Sequence, residues 1–215
     1  MTLTGLAFRN LSRNRARTLL TILGVGVATL TFLLLRTILY AWTSAADYAQ
    51  KDRVVTRHKV TFVMGLPKRY VDDVRNLPEV KLAGYASWFG GKDPKHDREF
   101  FATLAVDPSY LDVYSEMAIS KDQLEKWKTN RTGAILGDVL ANKIGVKLGD
   151  KITLESGIYP SQPDAPWTFT VDAIYTTTAK SIDRSTFLFH YDYLNDGLPE
   201  KRRNEIGWIV ARANT

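Results

Sequence analysis

Between Leu19 and Leu35 no residue is charged and most are apolar, the only run of this length in the chain. As a helix rising about 1.5 Å per residue it covers roughly 25 Å of a hydrocarbon layer about 30 Å thick, and continuing to Trp42 makes it long enough to span. The stretch "RARTLLTILGVGVATLTFLLLRTILYAW" therefore predicts a membrane-crossing helix over residues 18–42. Arg36 would cost several kcal/mol at mid-bilayer, so it is placed near the outer interface, where its guanidinium can reach the headgroups, with Tyr40 and Trp42 as aromatic anchors. Upstream, Leu3, Leu6, Ala7 and Leu11 gather on one helical face while Arg9, Arg13 and Arg17 recur every fourth residue. That pattern predicts an amphipathic arm over residues 1–17 lying along the inner membrane surface.

Beyond Trp42, "TSAADYAQK" contains no helix breaker, so the spanning helix is expected to run on as a stalk. The periodicity then shortens to that of a compact α+β domain over residues 43–215. "VVTRHKVTF" suits a strand, and "LPKRYVDDVRNLPEV" a helix with Tyr70, Val71, Val74 and Leu77 inward. "VKLAGYASWF" and "REFFATLAVD" read as strands around the turn "GGKDPKHD", which makes a βαββ unit. Ser120 and Gln123 have capping-box spacing, so a helix is expected from Lys121. In "RTGAILGDVLANKIGVKLGDKITL" a short strand ends at Gly137, Asp138 opens a helix bearing Val139, Leu140 and Ile144, and Gly145 is its C-cap. Gly149 and Asp150 then turn into the alternating strand "KITLE". This pairs with "WTFTVDAIY" across the proline-bearing loop "SGIYPSQPDAP", an exposed connection of the kind that can touch a partner. "STFLFHYDYLND" predicts a strand and short helix, and "IGWIVARA" a last strand.

The net charge of +6 on 215 residues suggests at first a polyanion partner. Arg9, Arg13, Arg15, Arg17 and Arg36 account for five of those charges, leaving the domain nearly neutral. The short groups Arg57-His58-Lys59 and Lys201-Arg202-Arg203 are expected to be solvated surface, and no nucleic acid is expected as a partner. The same arginines orient the span. Four precede it, whereas Lys51 is the only base in the 15 residues after Arg36, which puts the amino terminus inside and residues 43–215 outside. Ser44-Ala45-Ala46 imitates a signal-peptide cleavage site, but the apolar run exceeds the usual core of roughly 7–15 residues and bulky Tyr40 and Trp42 lie close by, so the helix is expected to be retained. Gly24, Gly26 and Ala28 would let a second helix approach.

Catalytic signatures are missing. No G-x-S-x-G, H-E-x-x-H or phosphate-binding G-x-x-x-x-G-K-[ST] occurs, so the chain is not expected to be an enzyme, to hydrolyse ATP itself or to carry a cofactor or metal. The chain has no cysteine, which removes thiol chemistry. His58, His96 and His190 are far apart and are expected at the surface or on strands. Asp93, His96 and Asp97 share a turn expected to be solvated. Trp88, Phe89, Phe100 and Phe101 are compatible with a ligand pocket, though packing at strand positions explains them more simply.

The start "LAFRNLSRNRARTLLTILGVGVAT", together with the cassette "GAILGDVLANKIGVKLGDKITL" followed by "FTVDAIY", resembles the MacB/LolE/FtsX-like (type VII) ABC transporter permeases. The resemblance implies a bacterial inner-membrane protein with a periplasmic MacB-like core domain. That domain would have a porter-like part (about residues 50–115 and 181–215) and an inserted β-rich part (about 130–180). It further implies partnership with an ABC ATPase subunit and a second permease subunit, with a periplasmic adaptor or lipoprotein carrier in some systems. The function implied is export or extraction, such as drug efflux or lipoprotein release, or mechanotransmission to cell-wall hydrolases. Such permeases carry three more spans, so the sequence looks like the amino-terminal part of a longer subunit. A stand-alone, single-pass binding or sensor module is the alternative.

Overall fold

In the computed structural model, Gly5 and residues 13–47, 52–61, 64–161 and 166–214 are described, except the side chains of residues 42 and 44–47. They fall into two compact units, Met1–Tyr48 and Ala49–Thr215.

The first unit is helix α1 (Arg15–Asp47), so the expected continuation past Trp42 is present. Within it Arg15–Ala41 is long and apolar enough to cross a membrane. Its leucines, isoleucines and valines are exposed around the helix, a surface unlike that of a water-soluble amphipathic helix. Thr21, Thr29, Thr37 and Thr43 each return their hydroxyl to the carbonyl four residues back, at 2.8–3.0 Å. Those polar groups are thus satisfied without water, as a hydrocarbon environment requires. The arm expected over residues 1–17 lies outside the described residues apart from Gly5 and residues 13–17.

The second unit is built on β1 (Arg53–Arg57), β2 (Leu66–Pro67), α2 (Tyr70–Arg75), β3 (Val80–Trp88), β4 (Gly91–Lys92), β5 (Ala102–Val106), α3 (Ser109–Val113) and α4 (Lys121–Thr129). It continues through β6 (Gly133–Gly137), α5 (Asp138–Ile144), β7 (Lys151–Ser156), β8 (Trp167–Tyr175), β9 (Thr186–His190), α6 (Tyr191–Asp196), β10 (Glu205–Ile206) and β11 (Trp208–Ala213), with 3-10 turns at Pro94–His96 and Glu200–Arg202. Among the described residues, nine strands form one mixed sheet in the order β1-β11-β3-β5-β9-β6-β8-β7-β4, and β2 pairs with β10. Strands from the expected porter-like segments occupy one half and those from the expected inserted segment most of the other. The two halves meet where β9 runs antiparallel to β6.

Burial on both faces explains the composition of that seam. All five residues of β6 and of β9 are buried, because helices cover the sheet above and below. Phe187 and Phe189 point to one core, with Leu140, Ile144, Phe169 and Tyr191, while Leu188 points to the other, with Trp127, Ile135 and Val210. Farther out, β7 alternates exposed and buried residues because one face meets solvent.

Several elements depart from expectation. The strand in "VVTRHKVTF" stops at Arg57, and "REFFATLAVD" becomes strand only at Ala102. On α2, Val71 is buried and Val74 partly so, but Tyr70 at its first position is exposed, as is Leu77, because the helix spans less than two turns and stops at Arg75 before reaching Leu77. Val139 is likewise exposed, while Leu140 and Ile144 pack inward. Ser120 Oγ accepts from the Gln123 amide at 3.4 Å, as a cap should, but the Gln123 side chain accepts instead from Ile174 N at 3.0 Å, tying α4 to β8.

His190, at the end of β9, is stacked on Trp127 (3.9 Å between centroids) with Nε2 2.8 Å from the Trp127 carbonyl oxygen. Burial pushes its pKa below the ordinary 6.5; the Trp127 carbonyl, Asp192 and Asp172 oppose this and Arg131 adds to it. The unfolded chain therefore takes up a proton that the fold resists, so this contribution to stability is complete above pH 6.5 and is lost as pH falls below it. Thermal melts from about pH 7.5 to 5.5 are expected to show Tm falling, with a shallower slope for His190→Gln. Equal slopes in the two proteins would remove this assignment.

Candidate functional site

Of the residues expected to set membrane topology, Arg15, Arg17, Arg36, Tyr40 and Trp42 are on α1 and Arg13 just precedes it. Arg13, Arg15, Arg17, Arg36 and Tyr40 are exposed. Arg9, and the side chain of Trp42, lie outside the described residues.

The cassette residues form a structural joint. Gly137 closes β6 and precedes α5 in extended geometry, and a Cβ there would overlap the Arg184 carbonyl of the segment leading into β9. That carbonyl accepts from Leu140 N, and Arg184 returns its guanidinium to Asp138, with Nε 2.7 Å from Oδ1. The ion pair holds the Asp138 pKa below its usual range, with burial opposing it. Gly145 takes φ +70° as the left-handed C-cap and Gly149 takes φ +91°; Asp150 Oδ2 accepts from Lys147 N at 2.8 Å to close the turn. Gly137, Asp138, Gly145, Gly149 and Asp150 thus shape the chain around α5. A shallow, open cleft beside α5 is lined by Asp138, Asn142, Lys147 and Leu148, and the Asp138 carboxylate in it is already paired with Arg184.

The histidines do not converge. His96 Nδ1 lies 2.7 Å from Asp93 Oδ2, and Asp93 also caps the 3-10 turn through Lys95 N, so this turn is internally bonded. Among the described residues no group of three or more His, Asp or Glu side chains is arranged to hold a metal ion.

The four aromatics of the βαββ region separate into two pairs. Phe89 and Phe101 are in the core, whereas Trp88 and Phe100 face outward and stack on each other at 6.5 Å. The residues are consecutive in twos, Trp88 ending β3 and Phe89 following it, Phe100 and Phe101 just before β5, and at each place the chain turns one ring outward and buries the other. Phe89 receives Tyr159 in a parallel stack at 6.0 Å and Trp167 edge-on at 5.7 Å. Ser156 anchors the loop that carries Tyr159: its hydroxyl donates to Phe89 O at 2.6 Å and accepts from Ile158 N and Tyr159 N.

This arrangement makes a pocket of about 190 Å³ whose walls include Trp88, Ile158 and Tyr159, with Arg202 and Glu205 as its charged groups. Arg202 Nη1 donates to Ile158 O at 3.2 Å, and its guanidinium lies 5.0 Å from the Tyr159 ring centroid. Burial raises the Tyr159 pKa, so its phenol is a neutral donor at physiological pH. Gly65 brings the chain against the opposite wall, where an added Cβ would sit 3.0 Å from Glu205 Cβ. Glu205 is held through its own carbonyl, which accepts from Tyr191 OH at 2.9 Å.

Arg202 and Arg203 lie at the exposed surface expected of them, and each is also tied to backbone, Arg202 to Ile158 O and Arg203 to the carbonyls of Leu198 and Asp196. Neither Arg202, Glu205 nor Tyr159 carries a motif. The one sequence signal was the long loop, which gave no indication of what it would meet.

No family model and no curated protein sequence matches the chain. Solved structures do. The periplasmic region of MacB from Actinobacillus actinomycetemcomitans is similar with a TM-score of 0.52, covering 78% of this chain and 77% of its own at 10% identity. The extracellular domain of the noncanonic ABC-type transporter YknZ from Gram-positive bacteria is similar with a TM-score of 0.50, covering 76% and 82% at 10% identity. At such identities the likeness shows the fold alone: the mixed α/β domain that follows the apolar amino-terminal helix is of the MacB-like periplasmic type.

Proposed function

We propose that the chain is a permease component of an ABC transport or mechanotransmission system, in which its mixed α/β domain lies outside the membrane and transmits ATP-driven motion to the export or extraction of a substrate. The observation that supports this reading most is the similarity of the domain, over more than three quarters of the chain, to the periplasmic region of MacB and to the extracellular domain of the noncanonic ABC-type transporter YknZ, together with a helix able to span a membrane. Covalent chemistry is assigned to a separate ATPase subunit. ATP binding would favour one of two arrangements of the outer domains, which requires contacts that differ between the two states. A dimer with a second permease subunit belongs to the same reading, as do porter-like and β-rich parts with separate tasks, an inner-membrane location and a cytoplasmic amino terminus. A stand-alone binding module is the second reading, favoured by the pocket at Trp88 and Arg202.

Isolation of the natural protein from its own membranes in mild detergent is expected to recover an ABC ATPase in comparable amount. In right-side-out vesicles protease should reach the domain. Repeated isolation without any ATPase, or a domain protected on the cytoplasmic side, would overturn the transporter reading.

A further inference from the structure

The pocket between the end of β3, the Ile158–Tyr159 segment and the Glu200–Arg202 turn has features that folding alone does not explain. Phe100 is 84% exposed and Trp88 37%, and the two rings form an apolar ledge beside the opening. The Arg202 guanidinium is positioned by a carbonyl and an aromatic face, and among the described residues it forms no ion pair. A fixed guanidinium beside apolar walls favours a carboxylate over a neutral acceptor, because the charge-assisted bond is stronger and the planar fork matches the ligand.

We propose that this pocket binds a peptide segment of an extracytoplasmic partner that presents a large apolar side chain beside a carboxylate. The volume, about 190 Å³, is below the roughly 300 Å³ at which small-molecule sites begin and suits a single large side chain. That side chain inserts between Trp88, Ile158 and Tyr159, its neighbouring carboxylate meets Arg202, and Glu205 on the far wall accepts a backbone N–H of the same segment. A sugar ring is disfavoured, since one face of the Trp88 indole is already occupied by Phe100. The inference rests on the proposed function only in placing the domain outside the cytoplasmic membrane.

The test uses the full chain in lipid nanodiscs, titrated with acetyl-Gly-Phe-Asp-Gly-amide, with the Asn analogue and with a trimer of N-acetylglucosamine, followed by tryptophan fluorescence and calorimetry. The Asp peptide is expected to saturate and to bind at least about fivefold more tightly than the Asn peptide. Arg202→Gln should abolish that difference, Glu205→Gln should enlarge it by removing a like charge, and Trp88→Ala should weaken both peptides. Thermal melts of each variant establish that it is folded, and the Arg202 and Glu205 variants carry the test if Trp88→Ala is not. Equal affinity for the two peptides, no effect of Arg202→Gln, or saturation by the saccharide alone would each overturn the proposal. Because no ATPase takes part, peptide binding can fail while an ATPase is still recovered from membranes, and the reverse.

Discussion

Gly137→Ala is expected to destabilise the domain by at least about 3 kcal/mol, which corresponds to a fall in Tm of roughly 6–12 °C for a domain of this size. The added methyl would overlap the Arg184 carbonyl, a backbone atom that accepts from Leu140 N and cannot swing aside as a side-chain tip would. Moving it would displace the segment leading into β9, whose five residues are all buried. Gly157→Ala supplies the matched control. A Cβ at Gly157 meets nothing within 4 Å, so the same chemical change there should stay within about 0.5 kcal/mol. Thermal or urea denaturation of both variants decides the matter, and equal melting would show that the close approach at Gly137 is not rigid.

Phe89→Ala is expected to cost about 3–5 kcal/mol. The ring is fully buried and meets Trp167, Phe169 and Phe189 edge-on as well as Tyr159 in a stack. Truncation would leave a cavity that four rigid aromatic neighbours cannot collapse into, and it would also remove the support of Tyr159 in the pocket wall. Phe100→Ala, eleven residues away and of identical chemistry, should change stability by less than about 0.5 kcal/mol. Its effect should appear in peptide affinity instead. A destabilisation by Phe100→Ala similar to that of Phe89→Ala would contradict the division between core and surface aromatics.

Local rules made much of the chain legible. The length of the uncharged run required a helix, and the absence of a breaker after Trp42 carried it to Asp47. In the cassette, a glycine that tolerates positive φ stands where a helix must stop, and an aspartate where a turn must close, so β6, α5 and β7 could be placed from residue types. The same rules failed where a neighbour distant in sequence decided the outcome. Tyr70 and Leu77 are apolar enough to be inward, but one opens a helix too short to bury it and the other lies beyond that helix's end. Gln123 had the spacing to complete a capping box, yet Ile174 N offered a competing bond. The pair Trp88 and Phe89 looked like one aromatic group, but Trp88, the last residue of β3, faces outward while Phe89, the next residue, is buried.

The sequence by itself determined the long apolar helix, the alternation of exposed and buried residues along β7 and the turn geometry of the cassette, because each depends on the steric and solvation preferences of residues within a few positions of one another. The tertiary structure alone decided the strand order, the seam at which β9 meets β6, the close approach that requires glycine at 137, and the pocket in which Tyr159, Arg202 and Glu205 converge on Trp88. Those features arise from contacts between segments separated by tens of residues, and a pairing of that kind leaves no period in the sequence.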